Sequence, residues 1–180
     1  VRTYHTLDAD IVPVYSAVGR QGCLLSGAVS GVYPLRWRLF REAGRLPRVT
    51  VLGHPGYHRR GCATPDFLRQ LSRHKVAVCT ASIYGYALRK IAEATACGCV
   101  VITDLPTDEV MPQIDGNLVR VHPETTTAEI AALLDYHYAH YTPERQQHYA
   151  RLAMDYYDYR VEGKRLAAAI EEMRRAYPVS

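Results

Sequence analysis

The sequence predicts an α/β domain built on an open, doubly wound parallel sheet, with extra helices at its C-terminal end. Three observations carry this prediction. Short apolar runs recur at Cys23–Ser26, Val49–Leu52, Val76–Thr80, Val100–Thr103 and Leu118–Val121. Helical patterns or turn residues separate them, the alternation that gives parallel strands with crossovers on both faces. The stretch from Val76 to Asp104 is the clearest βαβ unit: a strand, a small-residue loop (Ala81–Gly85), a helix (Tyr86–Cys97) and a second strand.

In that helix Leu88, Ile91, Ala92 and Thr95 fall at i, i+3, i+4 and i+7, an apolar stripe that faces the sheet. Arg89, Lys90 and Glu93 lie off the stripe, where they reach solvent or a ligand. Gly98 sits where a helix-terminating glycine belongs.

At the N-terminal end, residues 1–20 show no sustained period. Ile11–Tyr15 reads as a short edge strand or an extended arm, since Pro13 argues against a central strand. After the first strand, Ser26-Gly27-Ala28 closes with small residues, and Pro34 suits the first turn of a helix running to about Ala43. Arg38, Arg41, Arg45 and Arg48 form a basic stripe, either a solvated face or an attraction to an anionic surface. The second strand runs into Gly53–Gly61, a glycine-rich loop with His54, His58, Arg59 and Arg60. Thr64-Pro65-Asp66 opens a short helix to about Arg73.

Beyond Asp104 the pattern predicts a turn and one helical turn over Asp108–Gln113. Thr126 and Glu129 form a capping box for a helix over Ala128–His140. Thr142-Pro143-Glu144 opens another helix, and the chain stays helical to Ala176 with a break near Gly163. Tyr149, Leu152, Tyr156 and Tyr159 make an aromatic stripe along it, suited to packing on another domain or on this one.

Composition narrows the function classes. With 180 residues and 48% apolar content the chain forms one domain with a proper core. A net charge of +4 is too mild to call for a nucleic-acid partner. No apolar run reaches 18 residues, and no charged-then-apolar leader opens the chain. The start at Val1 rather than Met reads as a fragment. Five cysteines, an odd number, read as reduced thiols of a cytoplasmic protein, and Cys97-Gly98-Cys99 lacks the two-residue spacer of zinc and redox motifs. His137, His140 and His148 read as surface residues, so no metal site is expected.

Ligands of such sheets bind beyond the strand C-terminal ends. Ser82–Gly85 with the amides of Tyr86, Ala87 and Leu88 is the expected diphosphate cradle, with Arg89 or Lys90 adding charge. The loop has neither a dinucleotide nor a P-loop glycine pattern. Glu93 is placed to take ribose hydroxyls or, equally, to pair with Arg89 one turn earlier. No catalytic triad or paired carboxylates can be assigned, so the catalytic residues are unknown.

The run from Leu88 to Asp104 resembles the C-terminal half of GT-B glycosyltransferases. There a helix reading K-x-x-E-A-x-A-C-G precedes an apolar strand, as Lys90, Glu93, Ala94, Ala96, Cys97 and Gly98 do here. The group 1 subgroup that includes spore-maturation-type proteins is the best likeness. Leu25–Ala28, Tyr33–Arg36, His54–Tyr57 and the segment 118–140 support it over residues 22–140.

The resemblance implies a Rossmann-like domain over residues 21–180, with C-terminal helices from about 143. Residues 1–20 become a linker or remnant of a missing N-terminal half on which this domain packs. It implies a nucleoside diphosphate sugar as donor substrate, no bound metal or other cofactor, and transfer to an unidentified glycan, lipid or protein acceptor. The fragment alone is expected to be inactive, cytoplasmic or peripheral to a membrane. Glu93 matches the glutamate that holds the ribose, and Lys90, Arg89, Gly85, Tyr86, Ala87, Arg36, Gly27 and His54 complete the expected nucleotide-sugar site. Gly85 stands where many relatives carry a second glutamate that contacts the sugar. The competing class is a non-catalytic, partner-binding module with a decayed nucleotide site.

Overall fold

The structure is a computed structural model that describes residues 4–53 and 64–177. Among these, five parallel strands form one sheet: β1 (Cys23–Gly27), β2 (Val49–Gly53), β3 (Val76–Val78), β4 (Val100–Thr103) and β5 (Leu118–Arg120). Their order is β2-β1-β3-β4-β5. The helices are α1 (Pro34–Arg41), α2 (Thr64–Ser72), α3 (Arg89–Ala96), α4 (Thr127–Ala139), α5 (Pro143–Tyr157) and α6 (Tyr159–Ala176). This is the expected α/β, doubly wound, Rossmann-like architecture.

Side-chain alternation along the strands divides the core in two. Leu24, Ala77 and Val101 lie in register across three strands and pack with Leu68 and Leu71 of α2, Ile91 of α3 and Ala153 of α5. Leu25, Val76, Val78 and Ile102 point the other way, onto Leu35 and Leu39 of α1 and Ile130 and Leu134 of α4. The central strands β1, β3 and β4 are buried on both faces, as their continuous apolar runs require.

Several expectations are corrected. The helix expected from Tyr86 starts at Arg89, with Leu88 extended before it. Gly85 has φ +67 and donates to the Ser82 carbonyl, while the Ala87 amide donates to Glu109 Oε1 at 3.3 Å, so the backbone here is held outside the helix. Glu93 does not reach freely into solvent. Short α3 is wedged against the sheet, α2 and α5, and every residue from Ile91 to Ala96 is buried. Asp108–Gln113 forms turns, and a 3-10 turn follows at Asp115–Asn117.

The C-terminal helical break falls at Asp158, not Gly163. Asp158 takes N–H hydrogen bonds from Arg160 and, across the chain, from Ala9. Gly163 lies inside α6 with open space around its α-carbon. The segment Ile11–Tyr15 forms no strand. A 3-10 turn at Ala9–Ile11 precedes it, and Leu7 bridges to Asp158. Leu7 and Val12 are buried in the core.

Other local readings match. The Thr126/Glu129 capping box is present. Gly98, at φ +79, follows the Cys97 cap, and the Gly98 and Cys99 amides donate to the Thr95 and Ala94 carbonyls in a Schellman closure. Arg20 seals the same helix end: its buried guanidinium donates to the Cys97 carbonyl at 2.6 Å and the His74 carbonyl at 2.9 Å. Cations belong at that end of a helix dipole. Tyr149, Leu152 and Tyr156 pack within the domain and Tyr159 is exposed. The basic stripe is largely engaged within the chain: Arg38 donates to the Pro123 and Thr125 carbonyls, Arg41 stacks on Trp37, and Arg48 pairs with Asp135. Cys23, Cys79, Cys97 and Cys99 are buried free thiols, and burial pushes Cys23, Cys79 and Cys99 up to about 12. Cys62 lies outside the described residues.

Candidate functional site

The crossover through α1 leads outward from β1 to β2, and the next, through α2, returns past β1 to β3 on its other side. A crevice opens where the strand order reverses, at the C-terminal ends of β1 and β3. Two cations meet there.

Arg36, in the first turn of α1, is 2% exposed. Its Nε donates to Thr80 Oγ1 at 3.0 Å, Nη2 to the Thr80 carbonyl at 3.0 Å and Nη1 to the Ala28 carbonyl at 3.2 Å. Tyr33 stacks on the guanidinium. Lys90, from the first turn of α3, reaches the Ser26 carbonyl at 3.1 Å with Phe67 of α2 beside its ammonium. Burial, and then the like charge of Arg36, pushes Lys90 down to about 8.

Gly27 makes room for this pair. Its φ is +124, and a Cβ there would overlap the Lys90 ammonium and crowd the Arg36 guanidinium. A non-glycine residue would close the space between the strand end and the two charges. The first turn of α3 adds to the positive field, because it holds Arg89 and Lys90 and no acidic residue. Two cations at the positive end of a helix dipole break a local rule of helix design. Such a violation is expected where an anion restores the balance.

Glu93 lies one turn further along α3. Its side chain is 6% exposed, and Oε1 forms an ion pair with Arg89 Nε at 2.8 Å. Burial pushes the Glu93 carboxyl up, and Arg89 and then Lys90 pull it back. The two readings of Glu93 thus meet in one place: it is paired with Arg89, and it stands beside the cationic crevice.

Gly85, Tyr86 and Ala87 sit on another side of α3. Tyr86, 44% exposed, and Ala87 line a cavity of about 240 Å³ with Tyr4, His5, Leu88 and Glu109. Gly85 packs near Pro106. The expected site residues therefore form two groups, Gly27, Arg36, Arg89, Lys90 and Glu93 in one, and Gly85, Tyr86 and Ala87 in the other. His54 and the glycine-rich loop beyond Gly53 lie outside the described residues. Among the described residues no cluster of three His, Cys, Asp or Glu side chains could hold a metal. No described helix is long and apolar enough to cross a membrane.

Three contributors were not singled out from the sequence. Thr80 anchors Arg36 through both its hydroxyl and its carbonyl. Glu109 fixes the Ala87 amide. Asp104, 7% exposed at the end of β4, accepts the Ala81 amide at 2.6 Å and holds the loop after β3. Only Asp104, at the end of an apolar run, carried a positional signal.

A larger cavity of about 790 Å³ lies at the opposite end of the sheet, lined by Arg48, Arg73, His74 and Tyr138. Its cations stand near the C-terminal ends of helices, where the dipole already favours positive charge.

No protein-family model matches the chain, and no curated protein matches it. Among solved structures, HepE of Anabaena, in complex with UDP-glucose, aligns over 94% of this chain and 57% of its own, with a TM-score of 0.62 at 13% identity. The fold is GT-B glycosyltransferase-like. The pneumococcal O-GlcNAc transferase GtfA, in complex with UDP and GlcNAc, aligns over 94% of this chain and 38% of its own, with a TM-score of 0.50 at 14% identity. The GT-B-like chain thus spans 57% and 38% of these two structures.

Proposed function

We propose that this chain is the donor-binding half of a glycosyltransferase and binds a nucleoside diphosphate sugar at the β1/β3 crevice. The observation that carries the reading is the Lys90–Arg36 pair over Gly27. A buried guanidinium and a half-buried ammonium side by side gain most from an anion with two adjacent charges, and a diphosphate supplies them. Both structural neighbours are seen in complex with UDP or a UDP-sugar, which agrees with that chemistry. The motif from Lys90 to Gly98 supports the group 1, spore-maturation-like subgroup.

In this reading Lys90, Arg36 and the first amides of α3 stabilise the departing diphosphate electrostatically, without a metal. Glu93 orients the ribose. The acceptor binds against a second domain, and the chain works in the cytoplasm.

A thermal-shift screen against UDP, GDP, ADP, TDP and CDP, with and without Mg²⁺, tests the proposal. One nucleoside diphosphate is expected to give a saturable, Mg²⁺-independent shift. Glu93→Ala is expected to weaken its binding about tenfold to a hundredfold, the loss of one or two good hydrogen bonds. A flat screen on folded protein would favour the partner-binding module instead.

A further inference from the structure

Arg89 is placed where helix energetics gives it little reason to be. It opens α3, at the end of the dipole that repels cations, and it precedes Glu93 by four residues, the weaker order for a helical ion pair. Its guanidinium nevertheless holds Glu93 Oε1 at 2.8 Å. Arg89 is 44% exposed in its side chain, whereas Glu93 is 6% exposed. The contact therefore spans the boundary between solvent and the interior.

A nearly buried carboxylate held by a cation from the solvent side is arranged to accept a hydroxyl. We propose that Arg89 is a positioning residue: it fixes the orientation of Glu93 so that the carboxylate meets a ligand hydroxyl, and it does not itself bind the phosphates. This rests on the nucleotide reading above, and the ligand group is the ribose diol.

The charged surroundings leave the task to Arg89. On the same helix the neighbours of Glu93 are Arg89 and Lys90, and Lys90 is directed to the Ser26 carbonyl. Just past β3 the facing group is Cys79, and just past α3 it is Cys97, both neutral thiols pushed well up by burial. The ionisable residues of α2, Asp66 and Arg69, pair with each other at the surface. Burial raises Glu93, and Arg89 is the foremost group that lowers it again. Without Arg89, Glu93 gains a proton at higher pH and loses its fixed geometry.

The test compares UDP with inorganic pyrophosphate, by calorimetry, on the wild type, Arg89→Gln and Arg89→Lys. For Arg89→Gln the UDP affinity relative to wild type is expected to fall about tenfold at pH 6 and to recover toward wild type at pH 8.5. Pyrophosphate affinity should stay within about twofold of wild type, and Arg89→Lys should restore most of the UDP affinity. An equal loss for both probes would assign Arg89 to the phosphates and overturn the proposal. So would a loss of UDP affinity that does not vary with pH. A second measurement needs no nucleotide: the carboxyl carbon of Glu93, followed by NMR, should titrate at higher pH in Arg89→Gln than in wild type. An unchanged midpoint overturns the positioning role. If neither UDP nor pyrophosphate binds the wild type, the nucleotide reading fails and this titration alone decides the role of Arg89.

Discussion

Arg36 and Lys90 place two positive charges in one partly dry crevice, and the cost of doing so should be measurable. Lys90 is pushed from 10.5 down to about 8. Below pH 8 the folded chain holds a half-buried cation beside Arg36, and the unfolded chain holds a fully hydrated one. Between about pH 8 and 10.5 the folded state sheds that proton first, so the Lys90 penalty fades as pH rises. Lys90→Met is therefore expected to be more stable than wild type at pH 7, by on the order of 1–3 kcal/mol, with the gap closing near pH 10.5. Urea unfolding of both proteins at pH 7 and pH 10 measures this, and a gap independent of pH would contradict it. Diphosphate affinity should fall as pH rises through 8, because Lys90 must be charged to hold the anion. Lys90, Arg36 and Gly27 were legible in the sequence because each stands at a strand end or a helix start. Arg20 was not: its partners Cys97 and Gly98 lie 77 and 78 residues away, and only the fold brings them to it.

The turn from β1 into α1 and the loop from β3 into α3 decide whether the crevice works. Gly27→Ala should fill the space between the strand end and the two cations. Nucleoside diphosphate binding is expected to drop at least a hundredfold, more than the loss of one contact, because the anion's place itself is closed. Calorimetry beside circular dichroism checks this, and a folded Gly27→Ala protein with near-normal affinity would remove the crevice as the site. Element boundaries were readable where local chemistry sets them: the Thr126/Glu129 box, Gly98, and the apolar run of β4. They were misread where a distant partner sets them. Glu109 holds Ala87 outside α3, and Ala9 helps to make Asp158, rather than Gly163, the break between α5 and α6.

At the scale of the molecule, apolar runs and helix patterns implied a doubly wound parallel sheet but not the order of its strands. That order, with the reversal between β1 and β3, turns residues scattered from Gly27 to Glu93 into one site. It also separates that site from the basic cavity at the opposite end of the sheet, which charge counting alone would rank equally. The most direct measurement is an amide chemical-shift titration of the isotope-labelled chain with UDP. Shifts that saturate together at Gly27, Ala28, Arg89, Lys90 and Glu93 are the expected result. A titration without shifts at those amides, or with shifts gathered around Gly22, Arg48 and Arg73, would contradict a donor site at the β1/β3 crevice.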